Sequence, residues 1–178
     1  MSRLTIVSTV IVGVLGTFAL AGAQTGAHGS HDASSSASPA HRRMDAALKE
    51  RNAVIAQGLG AGLAFAADQN YYPGPLHVLE LKDVLGLTGQ QQRQVETLQT
   101  AMFTASRPAS NRLLEAEARL RRLFADGIAD EPRVRAAVAE TERAWTEVRL
   151  VHLLAHLQTR AVLTEEQRRI YHEARWSR

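Results

Sequence analysis

Two histidines stand four residues apart in the stretch HLLAH, at His152 and His156. In a helix this spacing places both imidazole rings on one face, where two ring nitrogens can bind one Zn²⁺, Cu²⁺, Ni²⁺ or Co²⁺ ion. A zinc-protease motif would need Glu directly after the first histidine as general base, and Leu153 stands there instead. The pair therefore indicates either a transition-metal site without catalysis or two histidines buried in a helix core.

A shorter segment, PLHVLELKDVLG, contains two further candidate metal ligands. His77 and Glu80 lie three residues apart on one face of a predicted helix and would complete a site with the histidine pair if the two helices pack together. The alternative is a histidine at a helix end beside a solvated acid. Since no nucleophile–base pair and no complete metal triad is evident, the sequence predicts a protein that is not an enzyme and requires no cofactor.

Composition limits the classes of protein further. The chain has 178 residues, 45% hydrophobic but only 5% aromatic, which is enough for one domain with a modest core. It has no cysteine, which removes disulfides, thiolate metal sites and cysteine nucleophiles. The formal net charge is +3, without any lysine or arginine block long enough to follow phosphates. Nucleic acid is therefore not a predicted partner.

The N-terminus predicts export. Residues 1–23 contain an early arginine, an apolar run and a final AGA, the pattern of a Sec signal peptide cleaved before Gln24. The apolar run would also span a bilayer if it stayed uncleaved. Either way the remainder is exported, to the periplasm of a Gram-negative cell, free or tethered to the inner membrane. Residues 24–43, rich in Ser, Ala and Gly, predict a flexible linker, and residues 44–178 a helical domain.

The domain shows helical periodicity throughout and no strand signal of any strength. Gly58 and Gly62 share one face of the first helix, where small residues would let another helix approach closely. Pro108 predicts a kink or a short break near Arg107. Long antiparallel helices joined by a short turn predict an all-α hairpin with flanking short helices, and such hairpins commonly pair with a second copy. The predicted helices cover about Met44–Asp68, Leu76–Leu85, from the Leu-Thr pair at residues 87–88 to Ala125, Glu131–Val162, and from the Leu-Thr pair at residues 163–164 to Arg175.

Two copies of the pattern Leu-Thr-x-x-Gln flank the long helices. In each copy the threonine is placed as the N-cap of a helix, and the glutamine three residues later can reach back to the N–H of the cap, which makes a capping box. The preceding leucine is expected to point into the core. Alone, each box indicates only a helix start, worth about 1 kcal/mol. The motif residues are Leu87, Thr88 and Gln91, then Leu163, Thr164 and Gln167.

The pairing of the motifs is more specific. Two LTxxQ elements around a long helical hairpin, in a small exported chain without cysteine, resemble the Spy/CpxP family of periplasmic stress proteins. This family includes zinc-resistance-associated proteins and heavy-metal sensors. The resemblance covers about Tyr71 to Trp176 and rests on both motifs and the trailing Tyr171. It implies a cradle-like homodimer and ATP-independent holding of unfolded or aggregation-prone envelope proteins.

The metal-sensing branch of the same family implies a second function, a periplasmic metal sensor or buffer that signals to an inner-membrane partner. That branch carries a histidine in the helix that leads to the second LT-like element, as this chain does at His152 and His156. It also carries a closely spaced histidine pair before the first element, where this chain offers only His77. The sequence leaves open whether the apolar helix faces bind client proteins or only a second subunit.

Overall fold

The computed structural model describes residues 38–177, and they form an all-α fold that is 78% helical and has no strand in this range. The predicted fold class and its long helical hairpin are confirmed. The predictions for the signal peptide and for most of the linker fall on residues 1–37, outside the described residues. Between residues 38 and 177 the helices are α1 (Pro39–Ala56), α2 (Phe65–Asp68), α3 (Pro75–Glu80), α4 (Gly89–Ala125), α5 (Glu131–Val162) and α6 (Glu165–Trp176).

The hairpin consists of α4 and α5, which make the most extensive contact between helices. A glycine stop ends α4: Gly127 has a left-handed φ of +66°, and its N–H bonds to the Phe124 carbonyl at 3.2 Å. The N–H of Ile128 bonds to the Leu123 carbonyl at 3.0 Å, which completes a Schellman motif. Asp130 then caps α5 by accepting the N–H three residues on at 2.8 Å. These caps make the tight turn of the hairpin.

Two hydrophobic clusters hold the helices together. The first joins α1 to the middle of the hairpin and consists of Ile55, Ala109, Leu113, Ala144 and Val148. The second lies at the open end of the hairpin, where α4 begins and α5 ends, and consists of Val78, Leu85, Val95, Leu163 and Tyr171. Small apolar residues on the facing sides of α4 and α5 let the two helices approach closely, because the spacing of three and four keeps them on one face.

Both LTxxQ motifs form the predicted capping boxes. The Thr88 hydroxyl accepts the N–H of Gln91 at 3.2 Å, and the Gln91 side chain accepts the N–H of Thr88 at 3.0 Å. Thr164 and Gln167 repeat this arrangement at the start of α6 with the same two distances. Leu163 is buried and Leu87 packs against the second cluster, as expected for the residues before the caps. The two motifs therefore mark the starts of α4 and α6.

The two motif glutamines also bond to each other. Gln91 Nε2 donates to Gln167 Oε1 at 2.8 Å, and Gln167 Nε2 donates back to Gln91 Oε1 at 3.1 Å. Each amide also donates to a backbone carbonyl, Val162 at 3.1 Å for Gln91 and Leu85 at 3.3 Å for Gln167. Since each amide oxygen also accepts its own cap N–H, both donors and both lone pairs of each amide are used. The motif repeated in the sequence is one joined interaction in the fold.

The first helix starts earlier than predicted. It begins at Pro39 rather than Met44, so residues 39–43, which the sequence assigned to the linker, are helical. Ser38 caps it by accepting the N–H of the third residue on, and proline occupies the first helical position, where its missing N–H is harmless.

The predicted continuation of this helix to Asp68 is wrong, since α1 ends at Ala56. Gly58 takes a left-handed φ of +81°, and its N–H and the next one bond back to helix carbonyls, which makes another glycine stop. The GLGAG stretch is consequently a loop, so Gly58 and Gly62 share no helix face. A close approach remains at one of them, because a Cβ on Gly58 would lie 2.7 Å from Ser106 Oγ of α4.

Pro108 does not break helix α4, although the sequence predicts a kink or a short break there. Helix α4 runs from Gly89 to Ala125 without interruption at Arg107. Ala109 and Leu113, which follow the proline, are fully buried. Packing against α1 and α5 therefore holds α4 together despite the backbone hydrogen bond that the proline cannot make.

The other helices lie close to their predicted positions. Helix α5 has the predicted bounds, Glu131–Val162, and α6 ends at Trp176, one residue beyond the predicted end. Helix α3 is shorter than predicted, because the chain leaves it after Glu80 and continues in turns past Leu85.

The glutamine pair predicts a measurable coupling energy. Gln91→Met and Gln167→Met should each lower the free energy of unfolding by about 1–3 kcal/mol, because each removes two hydrogen bonds from the partner amide and one from a cap N–H. The double variant should lose less than the sum, with a coupling of about 1–2 kcal/mol in a urea-denaturation cycle. Gln94→Met, an exposed glutamine of the same helix, is the matched control and should change little. Strictly additive losses would mean that the two caps act independently.

Candidate functional site: a buried histidine pair and an exposed leucine row

The histidine pair lies on the inner face of α5. His152 is 4% exposed and His156 is 7% exposed. They are buried because Val148 and Ala155 lie on the same side of the helix and turn it toward the core. The segment between α1 and α3, residues 57–74, packs over the two rings and is called the cover segment below.

His156 is bonded to the backbone of the cover segment. Its Nδ1 lies 2.6 Å from the carbonyl oxygen of Tyr72. Because a carbonyl oxygen only accepts, Nδ1 carries the proton in this bond, and the lone pair of the neutral ring is on Nε2. A Cβ on Gly74 would lie 2.7 Å from that Nε2 and 2.9 Å from Cε1, so the Gly74 backbone closes this edge of the ring. Glycine is needed here for space.

His152 packs against the cover segment in a similar way. A Cβ on Gly60 would lie 3.0 Å from Cγ and 3.1 Å from Nδ1 of the ring. The Nε2 atom is buried and has no hydrogen-bond partner among the described residues. A buried polar nitrogen without a partner costs free energy, far more so when the ring is charged.

Burial controls the charge of both rings. It lowers the pKa of His152 to about 4, and repulsion from a charged His156 adds to this effect. Burial also lowers the pKa of His156, although the bond to Tyr72 and the charge of Asp68 oppose it, and the charges of His77 and Arg175 lower it further. At neutral pH both imidazoles are therefore uncharged, and each has one nitrogen lone pair.

Asp68 is a buried carboxylate in the cover segment, and sequence reasoning missed it. The Tyr171 hydroxyl donates to its Oδ1 at 2.6 Å, and Arg175 Nε donates to its Oδ2 at 3.0 Å. Burial and the charge of Asp68 raise the pKa of Tyr171. These bonds tie the cover segment to α6, so the trailing tyrosine of the second motif has a structural role. The two residues are 103 positions apart, and no local pattern in the sequence points to the contact.

His77 and Glu80 lie on the more exposed surface of α3, and His77 is near enough to His156 for its charge to lower the pKa of that ring. His77 Nδ1 and Glu80 Oε2 bond to each other at 2.8 Å. Among residues 38–177 no group of three His, Asp or Glu side chains is placed to hold one metal ion. The four predicted metal ligands thus form two pairs, His152 with His156 and His77 with Glu80, and not one site. Their role as ligands stays a prediction.

A second feature, the leucine row, lies on the opposite face of α5. Leu150, Leu154 and Leu157 are 50%, 52% and 52% exposed, which is unusual for three leucines in one row. Their spacing of four and three places them side by side along about 10 Å of helix. Nothing in the described part of the chain covers this row.

Comparison with known proteins supplies the family. Residues 51–169, about two thirds of the chain, match the family described as heavy-metal resistance. The chain belongs to the heavy-metal resistance family. This family is part of the Spy/CpxP-like LTxxQ helical group, so the predicted resemblance is confirmed at that level. No curated protein and no solved structure matches the chain.

Heavy-metal resistance proteins are non-enzymatic resistance or stress proteins and are typically periplasmic. Within residues 38–177, no helix is both long and apolar enough to cross a membrane.

The family suggests interaction with metal, so the histidine pair must be tested for its fit to a metal ion. The proton on Nδ1 of His156 suits a ligand that binds through Nε2, since ligating histidines usually donate their other N–H to such a partner. The number of donors does not suit it, because structural zinc has four ligands and catalytic zinc has three from the protein. Gly74 closes the Nε2 edge of His156, and Nε2 of His152 is sealed from solvent. In this arrangement the pair does not fit a transition-metal ion.

The lowered pKa of His152 predicts an acid-sensitive fold. The unfolded chain binds a proton at an ordinary histidine pKa near 6.5, whereas the folded chain resists protonation down to about pH 4. Stability should therefore be constant above about pH 6.5 and fall as the pH drops, by about 2 kcal/mol between pH 7 and pH 5. His156 adds to the loss in the same direction. Urea denaturation of His152→Gln should show a correspondingly smaller pH dependence, and equal slopes for parent and variant would contradict this assignment.

The contact between Gly74 and His156 predicts a steric effect. Gly74→Ala should lower the free energy of unfolding by about 1–3 kcal/mol, because the new methyl group would lie 2.7 Å from the ring nitrogen. Gly89→Ala is the matched control, since the nearest atom to its Cβ is the end of the Arg93 side chain at 3.5 Å. That change should be neutral or stabilising by up to about 1 kcal/mol. Equal effects in thermal unfolding would exclude a tight contact at Gly74.

Proposed function

We propose that this chain is an exported, ATP-independent chaperone-like stress protein. It holds unfolded or aggregation-prone envelope proteins on the outer face of its helical hairpin and acts as a homodimer in the periplasm. The observation that carries the proposal is the leucine row of α5, an apolar surface that the described residues leave uncovered.

The leucine row has the properties of a binding surface for unfolded chains. Contiguous exposed apolar side chains on a protein surface commonly mark interaction sites. Covering the exposed half of each leucine is worth about 1 kcal/mol, which supports weak, reversible binding without an energy source. Such binding is not tied to one client sequence, since burial of apolar area is non-directional.

Charged side chains beside the row complete a mixed surface. Arg143 is exposed on α5 before the row, and Glu147 pairs with Arg112 across the hairpin. The formal net charge of the chain is +3. An exposed guanidinium near apolar residues would attract acidic segments of unfolded clients and raise the rate of encounter.

The leucine row gives the direct test of this function. A triple variant, Leu150→Ser, Leu154→Ser and Leu157→Ser, should lose most of the ability to suppress light scattering by reduced, aggregating α-lactalbumin. The matched control changes three exposed apolar residues elsewhere, Val84→Ser, Phe124→Ser and Ile128→Ser, and should retain the activity of the parent. Suppression that is equal in the parent and the leucine variant would rule out the row as the client surface.

Sedimentation of the same variants separates client binding from assembly. If the leucine variant remains a dimer and loses suppression, the row binds clients. If it becomes a monomer, the row belongs to the interface between subunits. Both measurements use the full chain, so the state of assembly and the activity are compared in one preparation.

A metal sensor or buffer that signals to an inner-membrane partner is the second candidate. The observation that favours it is the pair of neutral, buried imidazoles, of which His152 Nε2 lacks a partner. In that function the histidine pair would take up Zn²⁺, Cu²⁺, Ni²⁺ or Co²⁺ in proportion to the protein. This function would require the ion to reach the two rings against which the cover segment packs.

A further inference from the structure

We infer that the cover segment keeps transition-metal ions away from the histidine pair, so that metal binding at the pair and docking of the cover segment exclude each other. According to this inference, His152 and His156 can bind a metal ion only when the cover segment is displaced from them. It does not depend on client binding at the leucine row, and its failure would leave that proposal standing.

The first step concerns the ring edges that a metal ion would have to reach. A metal–imidazole bond is about 2.0–2.1 Å long, and the ion needs room for further ligands around it. At His156, the Gly74 backbone already lies against the Nε2–Cε1 edge, where a single extra carbon would be 2.7 Å away. At His152, Nε2 is buried, and Gly60 packs against the Cγ and Nδ1 atoms of the ring. Room for an ion and its other ligands requires the backbone of the cover segment to move.

The second step concerns the side chains that would complete the coordination. Both oxygens of Asp68 are used, one by the Tyr171 hydroxyl and the other by Arg175. His77 is bonded to Glu80. A third ligand from either group would therefore have to give up a hydrogen bond that the folded chain already makes, and for Asp68 that bond is buried.

The third step joins these contacts. The cover segment is held at the histidine pair by the Tyr72 carbonyl and is tied to α6 through Asp68. An ion that binds the pair with further ligands must displace the cover segment, and this loosens both attachments. By linkage, a metal ion that binds only the open or unfolded chain shifts the equilibrium away from the closed fold. Metal at the pair should then lower the melting temperature or leave it unchanged.

Thermal unfolding of the full chain with and without Ni²⁺ at pH 7.5 tests this inference. The parent should show no rise in melting temperature beyond that of the His152→Gln/His156→Gln variant, and Ni²⁺ should lower its urea midpoint more than that of the variant. Histidines outside the pair are present in both proteins and cancel in the comparison. A rise of several degrees in the parent that is absent in the variant would overturn the inference. An equal rise in both would assign the binding to other residues and support it.

Gly74→Ala provides a second variant in case the double histidine variant does not fold. It keeps both imidazoles but pushes the cover segment away from His156. Calorimetric titration with Ni²⁺ should then show at least a tenfold tighter binding in Gly74→Ala than in the parent, and Gly89→Ala should behave as the parent does. Tight binding by the parent that Gly74→Ala does not improve would show that the closed fold already admits the ion.

Discussion

The fold depends most on the reciprocal hydrogen bonds between Gln91 and Gln167. Each glutamine closes the start of its own helix, and together they join the start of α4 to the start of α6. Their remaining N–H groups bond to the carbonyls of Val162 and Leu85, which fixes the end of α5 and the turn before α4. The pair thus sets the open end of the hairpin, where the second hydrophobic cluster also lies.

This constraint positions the two candidate functional surfaces. Because α6 is fixed by Gln167, Tyr171 and Arg175 are held where they bond to Asp68 and so anchor the cover segment. The anchored segment covers the inner face of α5, where the histidines lie. The outer face of the same helix carries the leucine row. One helix therefore has a sealed polar pair on one side and an open apolar row on the other, as its 3.6-residue period requires.

Local signals in the sequence predicted much of this fold and little of the candidate site. The bounds of α5 and both capping boxes follow from short patterns, because a cap depends on residues within one turn. The first helix was mispredicted beyond Ala56, because the helical period continues through GLGAG while Gly58 takes a left-handed conformation. The spacing of the histidines correctly placed them on one face. Their burial depends on Gly60 and Gly74, whose contacts with α5 are tertiary and leave no periodic trace in the sequence.

The central claim is that the two LTxxQ motifs form one interaction, and the side-chain amide protons of Gln91 and Gln167 report on it directly. In an ¹⁵N-edited nuclear Overhauser spectrum of the folded chain, the amide protons of each glutamine should show cross-peaks to those of the other. They should also exchange slowly with solvent, because both donors of each amide are used within the protein. Rapid exchange with no cross-peak between the two amides would mean that the motifs are separate helix caps, and it would contradict this account of the fold.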